Sequence, residues 1–141
     1  MPDTSTVTLN RRDVLTTIGY GAVIWGIATT LLMTLGPLLL PESGSWAGVL
    51  LIVVFAGLAL GLAVIAYLLY RRTRSDSITS RLLFGSGIAS TGLLLDAVVY
   101  GAAASRYPFL SDAQQGPVAF FLVFAYGALI VAPHLVGNGR K

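Results

Sequence analysis

Long apolar stretches alternate with short polar ones along this chain, four times in succession. The apolar stretches cover residues 14–35, 46–70, 82–104 and 117–136. Each is long enough for an α-helix to cross a hydrocarbon layer about 30 Å thick, because a helix rises about 1.5 Å per residue. The pattern therefore predicts an all-α integral membrane protein, with one four-helix transmembrane bundle between residues 14 and 136.

Proline and glycine mark the expected ends of two of these helices. The first helix is predicted to end near Gly36 and Pro37, because proline cannot continue the helical hydrogen bonds. Pro117 suits the first turn of the fourth helix, which makes residues 105–116 a longer loop. The predicted polar tails are residues 1–13 and 137–141.

The basic residues lie almost entirely at one end of the predicted helices. Of the nine lysine and arginine residues, all except Arg106 fall on the side of the N-terminus. Cytoplasmic loops carry such an excess, so both termini are predicted to face the cytoplasm from the cell membrane. Arg11 and Arg12 before an apolar stretch also resemble a twin-arginine export signal. The long apolar run to about Leu40 favours an uncleaved first helix instead.

Composition agrees with a membrane protein and excludes several kinds of site. The chain is 55% hydrophobic and 11% charged, with a mean hydropathy of +0.81, whereas soluble domains are about 25% charged. It has no cysteine and one histidine, His134, which excludes disulfides, thiolate sites and bis-histidine haem ligation within one chain. We therefore expect the lipid bilayer as a partner, no nucleic acid, and no metal or other cofactor.

One carboxylate, Asp96, interrupts an apolar stretch, and no other acidic residue of the chain does so. A charged side chain at the bilayer centre costs about 2.5–3.5 kcal/mol on insertion scales, so such residues commonly have a function. Counting the helical rise places Asp96 at a depth similar to several polar and aromatic side chains. These further candidates are Trp25, Thr29, Thr30, Tyr100 and Tyr126. Either Asp96 binds a proton or cation that exchanges during transport, or it only hydrogen-bonds a neighbouring helix.

Small residues recur at helical spacing in the second and third apolar stretches. Lipid gives no hydrophobic drive between helices, so small residues are expected to mark packed faces. The predicted packing positions are Gly57, Gly61, Gly85, Ala89 and Gly92. The last three share a helix face with Asp96. Packing inside one bundle is favoured over a dimer motif.

Several stretches together resemble a prokaryotic four-helix membrane family of unknown function. They are Ala22-Val-Ile-Trp25-Gly26, Leu35-Gly-Pro-Leu-Leu-Leu40, Gly92-Leu-Leu-Leu-Asp96-Ala97 and Tyr107-Pro-Phe-Leu-Ser111. The resemblance implies four spans and no particular activity. The chain is also loosely similar to small multidrug-resistance exporters, which work as dimers around a membrane carboxylate. Their carboxylate is a glutamate of the first helix, whereas residues 14–35 of this chain contain no acidic residue.

Two classes of function fit the sequence. The first is a small transporter or channel-like protein, acting as a homo-oligomer with Asp96 in a polar pocket. The second is a non-catalytic subunit or assembly factor of a larger membrane complex. The chain has no nucleophile–base–acid set, no paired carboxylates in one span and no phosphate-binding glycine loop, so we do not expect an enzyme. An integral-membrane enzyme acting on a lipid-soluble substrate is the third alternative.

Overall fold

Four α-helices make up most of the chain in a computed structural model that describes residues 10–41, 46–73, 77–104 and 106–136. The helices are α1 (Arg11–Leu39), α2 (Trp46–Thr73), α3 (Ile78–Ala102) and α4 (Asp112–Val136). Each is long and apolar enough to cross a membrane, which confirms the predicted all-α four-helix fold and indicates a multi-pass membrane protein. The predictions for residues 1–9 and 137–141, and for Arg74, fall outside the described residues.

The two helix ends that proline was expected to set lie elsewhere. α1 continues through Pro37 to Leu39, and the Leu40 N–H closes the last turn on the Gly36 carbonyl at 2.8 Å. A proline in the last turn removes only one internal hydrogen bond, so the helix tolerates it there. α4 begins at Asp112, more than a turn before Pro117, so the predicted loop of residues 105–116 is too long.

Gln114 accounts for the early start of α4. Its side-chain oxygen accepts a hydrogen bond from the Ser111 backbone N–H at 3.2 Å. A glutamine at the third helical position plays this part in a capping box, where it satisfies a backbone donor before the helix begins. The local sequence therefore starts the helix upstream of the proline.

The helices pack as a series of pairs, α1 on α3, α3 on α4 and α4 on α2. Small residues allow the closest approach between α3 and α4. A Cβ added at Gly85 would lie 3.1 Å from the backbone of Ile130. α1 and α2 stand at the two ends of the series and meet at Tyr20 and Tyr70, whose ring centroids are 5.9 Å apart. Beyond this contact, an apolar groove lies between α1 and α2.

Buried aromatic side chains close both ends of this groove. The arginine end is the end of the bundle that carries the described arginines of α1, α2 and α3. One buried cluster lies there and consists of Tyr67, Tyr70, Phe84 and Ile88. At the opposite end, here the loop end, Tyr107 packs with Leu40 and Val118. The groove is thus confined between the two ends of the bundle.

Candidate functional site

The groove between α1 and α2 has a volume of about 520 Å³ and is lined by side chains from all four helices. Its rim carries large aliphatic side chains that are at least half exposed, among them Ile27, Leu31, Leu58 and Leu62. Because these residues line the groove and also face outward, the groove is open sideways, toward the surface that lipid would cover. The polar side chains in its lining are Trp25, Thr29, Asp96, Tyr107 and Tyr126.

Asp96 lies at the base of the groove and is 5% exposed. The Trp25 indole Nε1 donates a hydrogen bond to its Oδ1 at 2.8 Å. The Tyr126 hydroxyl donates a hydrogen bond to its Oδ2. Trp25 is the central residue of α1, so the carboxyl lies level with the middle of that helix. Asp96 therefore joins α3 to α1 and to α4 near the middle of the bundle.

Gly92, one turn before Asp96 on α3, makes room for the Tyr126 ring. A Cβ added at Gly92 would lie 2.5 Å from Tyr126 Cε1 and 2.9 Å from its hydroxyl oxygen. Any larger residue at this position would push the ring away from Asp96. Gly92 is therefore a positioning residue for the Tyr126–Asp96 hydrogen bond.

A second polar contact lies on the loop-end side of Asp96. The Tyr107 hydroxyl donates to Thr29 Oγ1 at 3.3 Å, and both side chains are buried. Burial raises the pKa of the Tyr107 phenol, so the hydroxyl stays protonated at neutral pH. The Gln115 amide fixes the residue by accepting from the Tyr107 N–H at 2.7 Å and donating to the Tyr107 carbonyl at 3.1 Å.

Gln114 links α1 to α4 at the loop end of the groove. Its Nε2 donates to the Leu40 carbonyl at 2.8 Å and to the Pro37 carbonyl at 3.2 Å. These are among the last carbonyls of α1, which have no partner within the helix. The buried amide thus holds the end of α1 against the start of α4.

The structure brings together some of the predicted site residues and separates others. Trp25, Asp96 and Tyr126 form one hydrogen-bonded group, and Thr29 lies beside it in the groove. Thr30 lies outside this group, because its side chain is exposed and donates to the Gly26 carbonyl at 2.7 Å.

Tyr100 is half-buried and is not hydrogen-bonded to Asp96. Its ring packs edge-on against Tyr107, with 5.6 Å between centroids. It supports the second polar contact from the side rather than joining the carboxyl. Tyr107 was not among the predicted site residues, since a loop residue near a helix end gives no sequence signal that its ring packs inside the bundle.

The predicted packing residues also divide into two sets. Gly85, Ala89 and Gly92 are buried on α3. Gly57 and Gly61 are exposed on α2, and a Cβ added at either would meet nothing within 4 Å. The expectation that this pair packs inside the bundle is corrected here, because α2 turns its Ala56 and Ala63 side inward instead.

The electrostatic surroundings of Asp96 are neutral as far as the described residues go. Among the described residues, no basic side chain is within ion-pair distance of its carboxyl, whose partners are the two neutral groups above. Arg106 pairs instead with Asp112 at 2.7 Å, and both side chains are more than half exposed. A carboxylate offers about four acceptor positions, so about two remain open for a ligand.

The described ranges contain no cluster of side chains that could bind a metal ion. No group of three or more histidine, cysteine or acidic residues lies together in residues 10–41, 46–73, 77–104 and 106–136. Of the acidic residues in these ranges, Asp96 alone lines the groove. The chemistry available at this site is therefore hydrogen bonding, charge pairing and proton exchange at one carboxyl.

Comparisons with known protein families, with curated proteins and with solved structures found no match for this chain. The resemblances of individual stretches to a four-helix family and to the exporters are thus unsupported by any such match. Function is inferred below from the geometry of the groove.

Proposed function

We propose that this chain is a small membrane transporter, not an enzyme, that binds its substrate in the groove and exchanges a proton or cation at Asp96. The observation that carries the proposal is the buried Asp96 carboxyl at the base of a sideways-open apolar groove, hydrogen-bonded to two other helices. Ionisable side chains at membrane depth characteristically mark substrate paths and proton relays.

The partners of Asp96 suit both of its protonation states. The Trp25 indole can only donate, so Oδ1 accepts whether the carboxyl is charged or neutral. The Tyr126 hydroxyl donates to a charged Oδ2, and after protonation it can rotate to accept from the same atom. A proton can therefore be gained or lost without leaving a buried polar atom unpaired, which would cost about 1–3 kcal/mol.

A change of charge at Asp96 would also change how firmly the helices are held. Hydrogen bonds to a charged acceptor are roughly twice as strong as neutral ones, so protonation weakens the links from α3 to Trp25 on α1 and to Tyr126 on α4. Close packing joins α1 to α3 rather than to α2. Movement of α1 is therefore the expected response to proton or substrate exchange.

The test is proton-coupled flux in proteoliposomes carrying the wild type, Asp96→Asn, or the matched control Asp112→Asn. Lipid-soluble compounds are offered as substrates while a trapped dye follows internal pH. Asp96→Asn is expected to abolish coupled flux with a near-normal folded yield, and Asp112→Asn to leave flux unchanged because Asp112 lies in an exposed ion pair. Normal flux with Asp96→Asn would end the transport role of this residue.

We also propose that both termini face the cytoplasm in the cell membrane. The support is the bias of arginine and lysine toward one end of the helices. Because the natural chain has no cysteine, single cysteines at Phe109 and at Ser77 report the two ends cleanly. An impermeant thiol reagent added to whole cells is expected to label Phe109→Cys and not Ser77→Cys; the opposite pattern would reverse the orientation.

A second candidate function is that of a non-catalytic subunit of a larger membrane complex. It is favoured by the exposed Gly57 and Gly61 on α2, since small residues let another helix approach closely. Purification in a mild detergent distinguishes the candidates. A stoichiometric foreign partner supports the subunit, whereas a homo-oligomer or an isolated chain that retains coupled flux supports the transporter.

A further inference from the structure

We infer that the groove binds lipid-soluble organic cations, with the positive group at Asp96 and the apolar body along the aliphatic walls. The inference uses the site of the proposed function and specifies its substrate class. It concerns binding at equilibrium and so can stand or fall separately from transport.

The charge of the site favours a cation. Asp96 is buried, its two partners are neutral, and no basic side chain of the described residues pairs with it. In its ionised form, Asp96 is a buried charge without a counter-ion among the described residues; this form is costly, and an arriving opposite charge relieves the cost. A cation would thus gain from Asp96 an interaction that a neutral molecule of the same shape does not, whereas an anion would be repelled.

The hydrogen-bonding capacity of the site points the same way. The Trp25 and Tyr126 donors are both directed at Asp96, and the Tyr107 hydroxyl is directed at Thr29. The groove therefore presents open acceptor positions on the carboxyl but has its strongest donors already engaged. Ligands that need donors, such as ketones and carboxylates, find no partner there unless an existing bond breaks.

Aromatic rings add to the preference. Trp25, Tyr107 and Tyr126 all line the groove, and Trp25 and Tyr126 contact the carboxyl itself. Ring faces attract cations by about 0.5–2 kcal/mol, most strongly for tryptophan and where water is excluded. An organic ammonium group can use both the carboxylate and these rings, which a metal ion with a tightly held water shell cannot.

The walls and the opening of the groove define the rest of the ligand. A volume of about 520 Å³ falls within the range of about 300–1,000 Å³ that small-molecule pockets occupy. The walls are almost wholly apolar, and the exposed rim residues open the groove toward the surface that lipid would cover. A molecule that partitions into the bilayer can therefore enter sideways, whereas a hydrophilic cation would find neither an aqueous route nor polar walls.

Binding is tested with three amphiphiles that share a dodecyl chain brominated at the third carbon from the head group, so that the bromine lies near Trp25 when the head is at Asp96, and that differ only in the head group. The heads are trimethylammonium, hydroxyl and carboxylate. Bromine quenches tryptophan fluorescence at short range, and the chain has two tryptophans. The Trp46→Phe variant leaves Trp25 as the only reporter, and it removes a side chain that is 86% exposed. The protein is held in nanodiscs of phosphatidylcholine, which carry no net charge.

We expect the ammonium compound to quench Trp25 at a concentration about tenfold lower than the alcohol, and the carboxylate to be the weakest. Asp96→Asn in the same background should remove the difference between ammonium and alcohol. The matched change Asp112→Asn should preserve it. The Trp25→Phe variant, which leaves only the outward-facing Trp46, measures how much of each compound enters the bilayer.

Several outcomes would overturn the inference. One is equal quenching by ammonium and alcohol after correction for partitioning, which is measured without any change at Asp96. Another is a preference for ammonium that survives Asp96→Asn. Cation binding without coupled flux would refute the proposed transport function and leave this inference intact. Coupled flux of neutral compounds without a preference for cations would refute this inference and leave the proposed transport function intact.

Discussion

α3 and α2 both carry glycines at helical spacing, yet the two sets lie in opposite surroundings. On α3, Gly85 meets the backbone of α4 and Gly92 receives the Tyr126 ring. On α2, Gly57 and Gly61 face outward with nothing within 4 Å of an added Cβ. The same residue type therefore serves close packing in one helix and leaves an open surface in the other.

This difference shows what a small residue does and does not specify. A glycine permits close approach, but a partner must be present to use it. α3 packs along its length against both α1 and α4, whereas α2 packs along its length on α4 and meets α1 and α3 at its arginine end, through Tyr67 and Tyr70. A glycine on α3 is therefore more often in contact with a neighbouring helix. Substitutions of glycine on the two helices should differ in how much they change stability and in which property they change.

The largest effect is expected for Gly85→Ala. The added Cβ would lie 3.1 Å from Ile130 Cα and from its carbonyl oxygen, and backbone atoms cannot rotate away as a side chain can. Separating α3 from α4 should cost about 2–3 kcal/mol of unfolding free energy. Helical circular dichroism during titration with a denaturing detergent measures it. Gly101→Ala on the same helix, with open space around it, is the control and should change little.

A smaller but more specific effect is expected for Gly92→Ala. The new methyl group would displace the Tyr126 ring and break its hydrogen bond to Asp96, at a cost of about 1–2 kcal/mol. The infrared carboxyl band of Asp96 should shift as it does in Tyr126→Phe, because both changes remove the phenol from Oδ2. A band in Gly92→Ala that stays at the wild-type position would show that Gly92 does not position Tyr126.

The smallest effect on stability is expected for the double change Gly57→Ala and Gly61→Ala. A Cβ added at either position would meet no atom of the described residues within 4 Å, and alanine favours a helix over glycine by up to about 1 kcal/mol per position. The unfolding free energy should therefore be unchanged or slightly higher. If this variant loses a partner or a homo-oligomer during purification in mild detergent, α2 uses its glycine face between chains, and the contrast with α3 disappears.

Asp96 illustrates how far the sequence could lead toward the site. One carboxylate in an apolar run, sharing a helix face with Gly85, Ala89 and Gly92, is visible from spacing alone, and Asp96 is 5% exposed in the folded chain. Counting the helical rise along each stretch also predicted that Trp25 and Tyr126 lie at a depth similar to that of Asp96. It could not separate Thr29, which lines the groove, from its neighbour Thr30, which faces outward. Depth constrains position along a helix and leaves rotation about its axis open.

The number of helices, their lengths to within seven residues, and the single carboxylate inside the apolar stretch of α3 are determined by the sequence itself. They depend on local properties, namely hydrophobicity summed over one segment and the helical repeat. Only the tertiary structure decides that α1 and α2 leave a groove, that Tyr107 turns back to Thr29, and that Gly57 and Gly61 face outward. These features depend on which helix faces meet, and in an almost uniformly apolar chain many pairings satisfy the same hydrophobic pattern.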